Sequence, residues 1–283
     1  MFTPAKTNLF LRVIGRRPDG FHELENVFLP LWSLGDEVEL LPATEAGPIG
    51  LEVVGAPELP DDSDNLCLRA AKAFEEATGQ HPRVNIRLTK RIPVSAGLGG
   101  GSSDAAAVLC LLNQHCRRPL TDEALRGLAA QLGSDVSFFL KPQAALGTGR
   151  GEILTPIALK PTFSLLLAAP LFPVPVAWAF EHLMPAAETV PSLEEFLAAA
   201  QGDDIHELAR CLRNDLEAAV FAKFPLLCLM RRVLLKAGAL AVHVSGSGPT
   251  LFAICASDEA AGIAAEYDRA FGTYLPKAAV CSF

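Results

Sequence analysis

Apolar and polar residues alternate with a period of two over Glu37–Leu41 and Val84–Leu88, which predicts half-buried strands. The apolar stretch Leu9–Val13 predicts a third strand. Ala105–Leu112 is an unbroken apolar run behind a Gly/Ser cluster, and it reads as a buried helix starting at Ser102 or Ser103. Thr121-Asp122-Glu123 opens a clearer helix with an apolar stripe of Leu125, Leu128, Ala129 and Leu132, and Gly133 is placed to end it. Beyond about residue 158 the pattern predicts a strand at Ser164–Ala169. Helical segments follow near Ala177–Met184, Leu193–Ala200, Ile205–Glu217 and Leu226–Ala237. Strands at Leu240–Ser245 and Leu251–Cys255, a helix at Glu259–Phe271 and a last strand at Lys277–Ser282 complete the chain. That strand–helix–strand–strand–helix–strand order recurs in ferredoxin-like α+β domains. The reading is an α+β protein with one domain over 1–158 and a second over 159–283.

Two uncharged runs, Thr162–Phe180 and Ala237–Ser257, are long enough by count to resemble membrane spans. Pro170, Pro173 and Pro175 interrupt the first, and Gly246, Gly248 and Pro249 the second, so both read as buried strand–turn segments. With no signal or transit region at the start, the expectation is a soluble cytoplasmic protein with no membrane partner. Lys plus Arg is 24 and Asp plus Glu 32, a net charge of −8 that disfavours nucleic-acid binding. The seven cysteines form no C-x-x-C pair and no zinc spacing, as suits thiols packed as small hydrophobes in a reducing compartment.

The strongest chemical signal is Pro93-Val94-Ser95-Ala96-Gly97-Leu98-Gly99-Gly100-Gly101-Ser102-Ser103. Four glycines in five positions let backbone N–H groups converge on a ligand. The following helix adds its positive N-terminal end, so the stretch suits a polyphosphate. Ser102 and Ser103 supply hydroxyls for a phosphate or magnesium. The stretch is neither a Walker A loop nor a dinucleotide-binding fingerprint, which puts phosphoryl transfer ahead of hydride transfer.

The stretch closely resembles the ATP-binding motif of the GHMP kinase superfamily, Pro-x-x-x-Gly-Leu-Gly-Gly-Gly-Ser-Ser. The resemblance extends along the chain through Pro4–Leu11, Gly133–Val136, Gly147–Glu152, Asn214-Asp215-Leu216-Glu217 and Ser245-Gly246-Ser247-Gly248. Arg17-Pro18-Asp19-Gly20-Phe21-His22 is similar to a segment of the superfamily branch whose substrate is a cytidine-diphosphate-linked methylerythritol. The resemblance implies an N-terminal ATP-binding domain, a ferredoxin-like C-terminal domain and an active site in the cleft between them. It also implies ATP and Mg2+, and transfer of the γ-phosphoryl group to the 2-hydroxyl of that small molecule, in the non-mevalonate route to isoprenoid precursors.

Residue by residue, the resemblance makes Asp135 the general base and Lys6 its assistant, with Pro93 to Ser103 around the nucleotide. Ser103 is implied as a magnesium ligand, and Asn65 and Lys90 as residues on the adenine side. Phe21 would stack on the cytosine, His22 read its edge and Phe180 cover its other face. Asn8 would contact the polyol end and Arg150 the diphosphate. Taken alone, Asp135 reads better as a helix N-cap and Lys6 as a solvated strand lysine, while Phe180 reads about equally as a core aromatic. Lys6, Arg12, Arg16 and Arg17 form a basic cluster suited to steering an anion. Val176 stands where the branch commonly carries a threonine, which removes a hydroxyl from the expected reaction centre. A kinase for another small alcohol and a catalytically inactive nucleotide-binding relative remain as alternatives.

Overall fold

The computed structural model describes residues 1–43, 47–56, 58–59, 63–160, 163–184 and 190–282. Thr162, the first residue of one uncharged run, lies outside the described residues. The chain forms two compact units that no single cut in the sequence separates. One holds Met1–Lys6, Pro30–Val94 and Gly99–Gln143; the other holds Thr7–Leu29, Ser95–Leu98 and Ala144–Phe283.

The first unit takes the start of β1 (Phe2–Arg16) and the later half of β2 (His22–Pro42), with β3 (Leu51–Val54) and β4 (Val84–Thr89). β4 runs antiparallel to β2 from Glu37↔Thr89 to Pro42↔Val84. The alternation in β4 buries Val84, Ile86 and Leu88 and turns Asn85 out. Helix α1 (Leu66–Thr78) starts at Asn65, whose side chain accepts from the Cys67 N–H, and stops at Gly79 in the left-handed region. Helix α2 (Gly100–His115) buries Ala105 to Leu109 and Leu112 on every side, which explains its unbroken apolar run. It begins at Gly100, two residues before the predicted start, because Gly99 at φ 73° makes the turn into it. Helix α3 (Asp122–Leu132) is capped by Thr121 and buries Leu125 and Ala129. Helix α4 is the single turn Val136–Phe139.

In the second unit, β5 (Ala145–Thr148) pairs with β2, and β6 (Ile153–Pro156) pairs with β5, both antiparallel. A separate antiparallel sheet is built from β7 (Ser164–Ala168), β9 (Ala241–Val244), β10 (Leu251–Cys255) and β11 (Ala279–Ser282) in the order β11-β7-β10-β9. Counted within this sheet the order is 4-1-3-2, the ferredoxin-like arrangement the element pattern predicts. Helices α5 (Val176–Glu181), α6 (Leu193–Gln201), α7 (Ile205–Cys211), α8 (Glu217–Lys223) and α9 (Pro225–Lys236) lie between β7 and β9, and α10 (Ala260–Phe271) follows β10. Leu166, Val242, Leu251 and Ala253 of the sheet share a core with Leu227, Met230 and Leu234 of α9 and Ile263 and Tyr267 of α10.

One expectation is corrected. The segment Ile205–Glu217 is not one helix but α7, a two-residue strand β8 (Arg213–Asn214) and the start of α8. Strand β8 pairs in parallel with Phe10 and Leu11 of β1, and Leu212 turns to extended backbone to enter it. Both uncharged runs hold strands and turns as expected, and among the described residues no helix is long and apolar enough to cross a membrane. Cys67, Cys110, Cys116, Cys211, Cys228 and Cys255 form no disulfide.

Candidate functional site

The glycine-rich stretch forms a tight loop. Ser95 at φ 53°, Gly97 at 77° and Gly99 at 73° all sit in the left-handed region, and Ser95 holds it without the freedom of glycine. No side chain caps the start of α2, so the first N–H groups of that helix are left for a ligand. A Cβ on Gly99 would stand 2.8 Å from the Phe139 ring and 3.0 Å from Lys6 Cγ, so backbone fills the space over the lysine stem. At the end of that stem Lys6 Nζ lies 3.3 Å from Asp135 Oδ2. The two partners differ in exposure: the Lys6 side chain is 5 % exposed and that of Asp135 33 %. Lys6 is therefore no solvated strand lysine. Asp135 occupies the N-cap position of α4 but makes no capping bond, which leaves its carboxylate to Lys6 and to solvent. A part-exposed carboxylate beside a buried cation and a donor-rich helix start can take a proton from a hydroxyl while phosphate oxygens are held.

Gly97 is packed by the second glycine turn. Ser245 Oγ donates to Gly97 O at 3.0 Å, and Thr250 N–H to Ala96 O at 3.3 Å. Ser245-Gly246-Ser247-Gly248 is also the hairpin between β9 and β10, with Leu251 opposite Val244. Asn214 holds this turn by donating from Nδ2 to Val244 O and Gly246 O, each at 2.7 Å. Glu217 accepts from the Val244 N–H at 2.9 Å and pairs with His243. Asp215 accepts from the Val13 N–H at 2.9 Å and from Arg213. The Asn214–Glu217 block thus acts as a brace for the glycine turn, a role its sequence alone did not signal.

Three residues assigned by resemblance have buried side chains with protein partners. Lys90 is 8 % exposed, and its ammonium is shared between Asp36 and Asp104, the latter at 2.7 Å, so its side chain braces the approach to the loop from within. Asp36 also accepts the Arg91 and Ile92 N–H groups at 2.5 and 2.9 Å, which fixes the chain where it enters the loop. Ser103 is fully buried, donates to Pro4 O at 2.7 Å and meets Thr3 Oγ1 at 2.5 Å, so its hydroxyl faces the interior. Starting α2 at Gly100 turns Ser103 inward and leaves Ser102 half-buried at the loop. Asn8 is 1 % exposed and donates from Nδ2 to Asn26 Oδ1 at 2.7 Å. Asn65 is the α1 cap described above.

The remaining candidates gather in the second unit. Arg17 N–H donates to Phe21 O, and Phe21 N–H to Asp19 Oδ1, closing a turn in which Gly20 takes φ 87°. Phe21 is left 52 % exposed at the turn's edge, with the Arg150 guanidinium 4.7 Å from its ring centroid. The glycine turn carrying Arg150 is tied to the hairpin by Leu24 N–H to Gly149 O at 2.8 Å. Phe180 stacks on His22 at 5.0 Å and 18°, and both side chains are half-buried. Burial, with Arg16 nearby, holds the His22 pKa below its ordinary value, favouring a neutral ring with one donor and one acceptor. The basic cluster is mostly neutralised, since Arg12 pairs with Glu25 and Arg17 with Asp19 and Glu23. Val176 is 60 % exposed at the start of α5.

Comparison with known proteins places this geometry in a family. Residues 65–142 match the GHMP kinase N-terminal domain, and residues 184–272 match the GHMP kinase C-terminal model. The chain belongs to the GHMP kinases. This GHMP kinase is 43 % identical over 91 % of its length to a Synechococcus sp. (strain JA-3-3Ab) protein named 4-diphosphocytidyl-2-C-methyl-D-erythritol kinase, covering 85 % of that protein. A crystal structure of 4-(cytidine 5'-diphospho)-2C-methyl-D-erythritol kinase superposes with a TM-score of 0.80 at 35 % identity, covering 100 % of this chain and 98 % of that one. The homoserine kinase of Cytophaga hutchinsonii has a TM-score of 0.78 at 19 % identity over 99 % and 93 % of the two chains, which is a likeness of fold alone.

Two expected results test how this GHMP kinase builds its loop. In Gly97→Ala the new Cβ would overlap Ser245 O and stand 2.9 Å from Gly248 O, at a φ that side chains rarely adopt. Strain of about 1–3 kcal/mol should appear as a KM for ATP raised on the order of tenfold, with secondary structure by circular dichroism unchanged. Asp104 is the second case. Burial, with Asp36 close by, pushes its pKa up to about 7 against the pull of Lys90. A carboxyl raised in the folded state is favoured when protonated, so its contribution is full at low pH and is lost as pH rises through about 7. Melting curves from pH 5 to 8 should show a downward drift in Tm that Asp104→Asn flattens; parallel curves for the two proteins would contradict it.

Proposed function

We propose that this GHMP kinase transfers the γ-phosphoryl group of ATP to the 2-hydroxyl of 4-diphosphocytidyl-2-C-methyl-D-erythritol, a cytoplasmic step of isoprenoid precursor synthesis by the non-mevalonate route. The observation that carries the reading is the 43 % identity, over 91 % of this chain and 85 % of the other, to a relative of that name. The exposed Phe21 beside His22 and Arg150 supports it, because a stacking ring, a neutral imidazole and a guanidinium suit a base bearing phosphates. Asp135 accepts the hydroxyl proton as the new O–P bond forms and the β–γ bridging oxygen leaves with ADP. Lys6 holds Asp135 in place and offsets charge on the transferring oxygens. The start of α2, which no side chain caps, suits a polyphosphate. Among the described residues no cluster of three His, Cys, Asp or Glu side chains is assembled for a metal. Magnesium would therefore be held mainly by the nucleotide phosphates, with Ser102 in reach, and would supply charge neutralisation there.

CDP should compete with the cytidylyl substrate. Phe21→Ala, which removes the exposed ring, should raise KM for that substrate about 5- to 100-fold while leaving KM for ATP unchanged, as loss of about 1–3 kcal/mol of stacking requires. Absence of CDP competition in an enzyme that still turns over would remove the cytosine assignment.

A further inference from the structure

Helix α9 presents two different faces. Leu227, Met230 and Leu234 are buried in the core, while Cys228, Arg231, Arg232, Leu235 and Lys236, at i, i+3, i+4, i+7 and i+8, line an outward groove with Phe221 of α8. The groove measures about 480 Å³, within the range of about 300–1,000 Å³ usual for small-ligand sites. No carboxylate lines it. Among the described residues Arg231, Arg232 and Lys236 form no ion pair, although the chain as a whole carries a net charge of −8. Arg232 and Lys236 stand one turn apart, where like charges oppose helix formation. Arg231 Nε is buried with no hydrogen-bond partner, and its guanidinium lies 5.2 Å from the Phe221 ring centroid. Leu235 is 40 % exposed beside it. None of these residues belongs to the nucleotide or substrate set.

We infer that this groove is a second ligand site, for a phosphate or diphosphate carrying a short hydrocarbon tail. The two guanidinium forks and the ammonium match phosphate oxygens. Phe221 and Leu235 supply apolar surface for the tail, which a bare anion would leave wet.

Cys228 reports on occupancy, because its thiol is exposed at the groove and donates only weakly to Phe221 O at 3.5 Å. Labelling of the full chain by a neutral maleimide, followed at Cys228 by peptide mass spectrometry, tests the site. Hexyl diphosphate at ten times its Kd should slow labelling about tenfold. Inorganic pyrophosphate and hexanol at the same concentration should each do much less. The triple variant Arg231→Gln/Arg232→Gln/Lys236→Gln should label at the unprotected rate with or without hexyl diphosphate, with an unchanged Tm showing that it folds. No protection, equal protection by pyrophosphate, or protection that survives in the triple variant would each overturn the inference. Sedimentation with anionic phospholipid vesicles, lost in the triple variant while hexyl diphosphate gives no protection, would replace the small ligand by a membrane surface.

Discussion

Asp135→Asn is expected to lower kcat by about 10²- to 10⁴-fold, the range for loss of a positioned general base, while ATP still binds. Asparagine keeps the size and shape of the side chain, so the loop over Lys6 and the helix start at Gly100 stay in place. The proton acceptor goes, and so does the charge that sits 3.3 Å from Lys6. The check is to measure kcat by coupled ADP release and ATP affinity by calorimetry on the same preparation. A loss confined to kcat fits a group used in the transition state. Near-normal turnover would remove Asp135 from the chemistry. A phosphoryl transfer with a loose transition state needs little proton removal until late, so positioning by Lys6 and the loop should leave residual activity above background.

Lys90→Met should act on a different observable. The substitution leaves Asp36 and Asp104 buried without their shared cation, and breaking a buried pair of this kind costs roughly 3–5 kcal/mol. Asp104, with its pKa pushed up to about 7, can take up a proton and relieve part of this. A loss near about 3 kcal/mol, or a fall in Tm on the order of 10 °C, is therefore the expected result. The entry to the loop should loosen as well, because Asp36 also holds the Arg91 and Ile92 N–H groups. An unchanged Tm with a raised KM for ATP would instead restore Lys90 as a nucleotide contact.

These two residues illustrate what the sequence carried and what it did not. The glycine loop was legible because four glycines in five positions answer to local backbone geometry, and φ values above 70° at Gly97 and Gly99 bear that out. The 4-1-3-2 sheet was legible because strand and helix periods alternate cleanly after residue 158. The pairing of Lys90 was not legible because its partners lie 54 and 14 positions away, and nothing local marks a buried bridging lysine. The inward turn of Ser103 was not legible because α2 starts at Gly100, two or three residues before the expected Ser102 or Ser103. The break in Ile205–Glu217 was hidden for a related reason. Asn214 and Asp215 bond to Val244, Gly246 and Val13, contacts 30 to 202 residues apart that override local helix preference. Within the aromatic set, motif position identified Phe21 and His22, but the stacking of Phe180 on His22 depends on where α5 settles.

The central claim is tested most directly by ADP release from ATP and magnesium, with 4-diphosphocytidyl-2-C-methyl-D-erythritol, mevalonate or homoserine as the only alcohol present. The account predicts release with the cytidylyl substrate and none above background with the other two. Release with mevalonate or homoserine instead, or with no alcohol at all among the three, would contradict it.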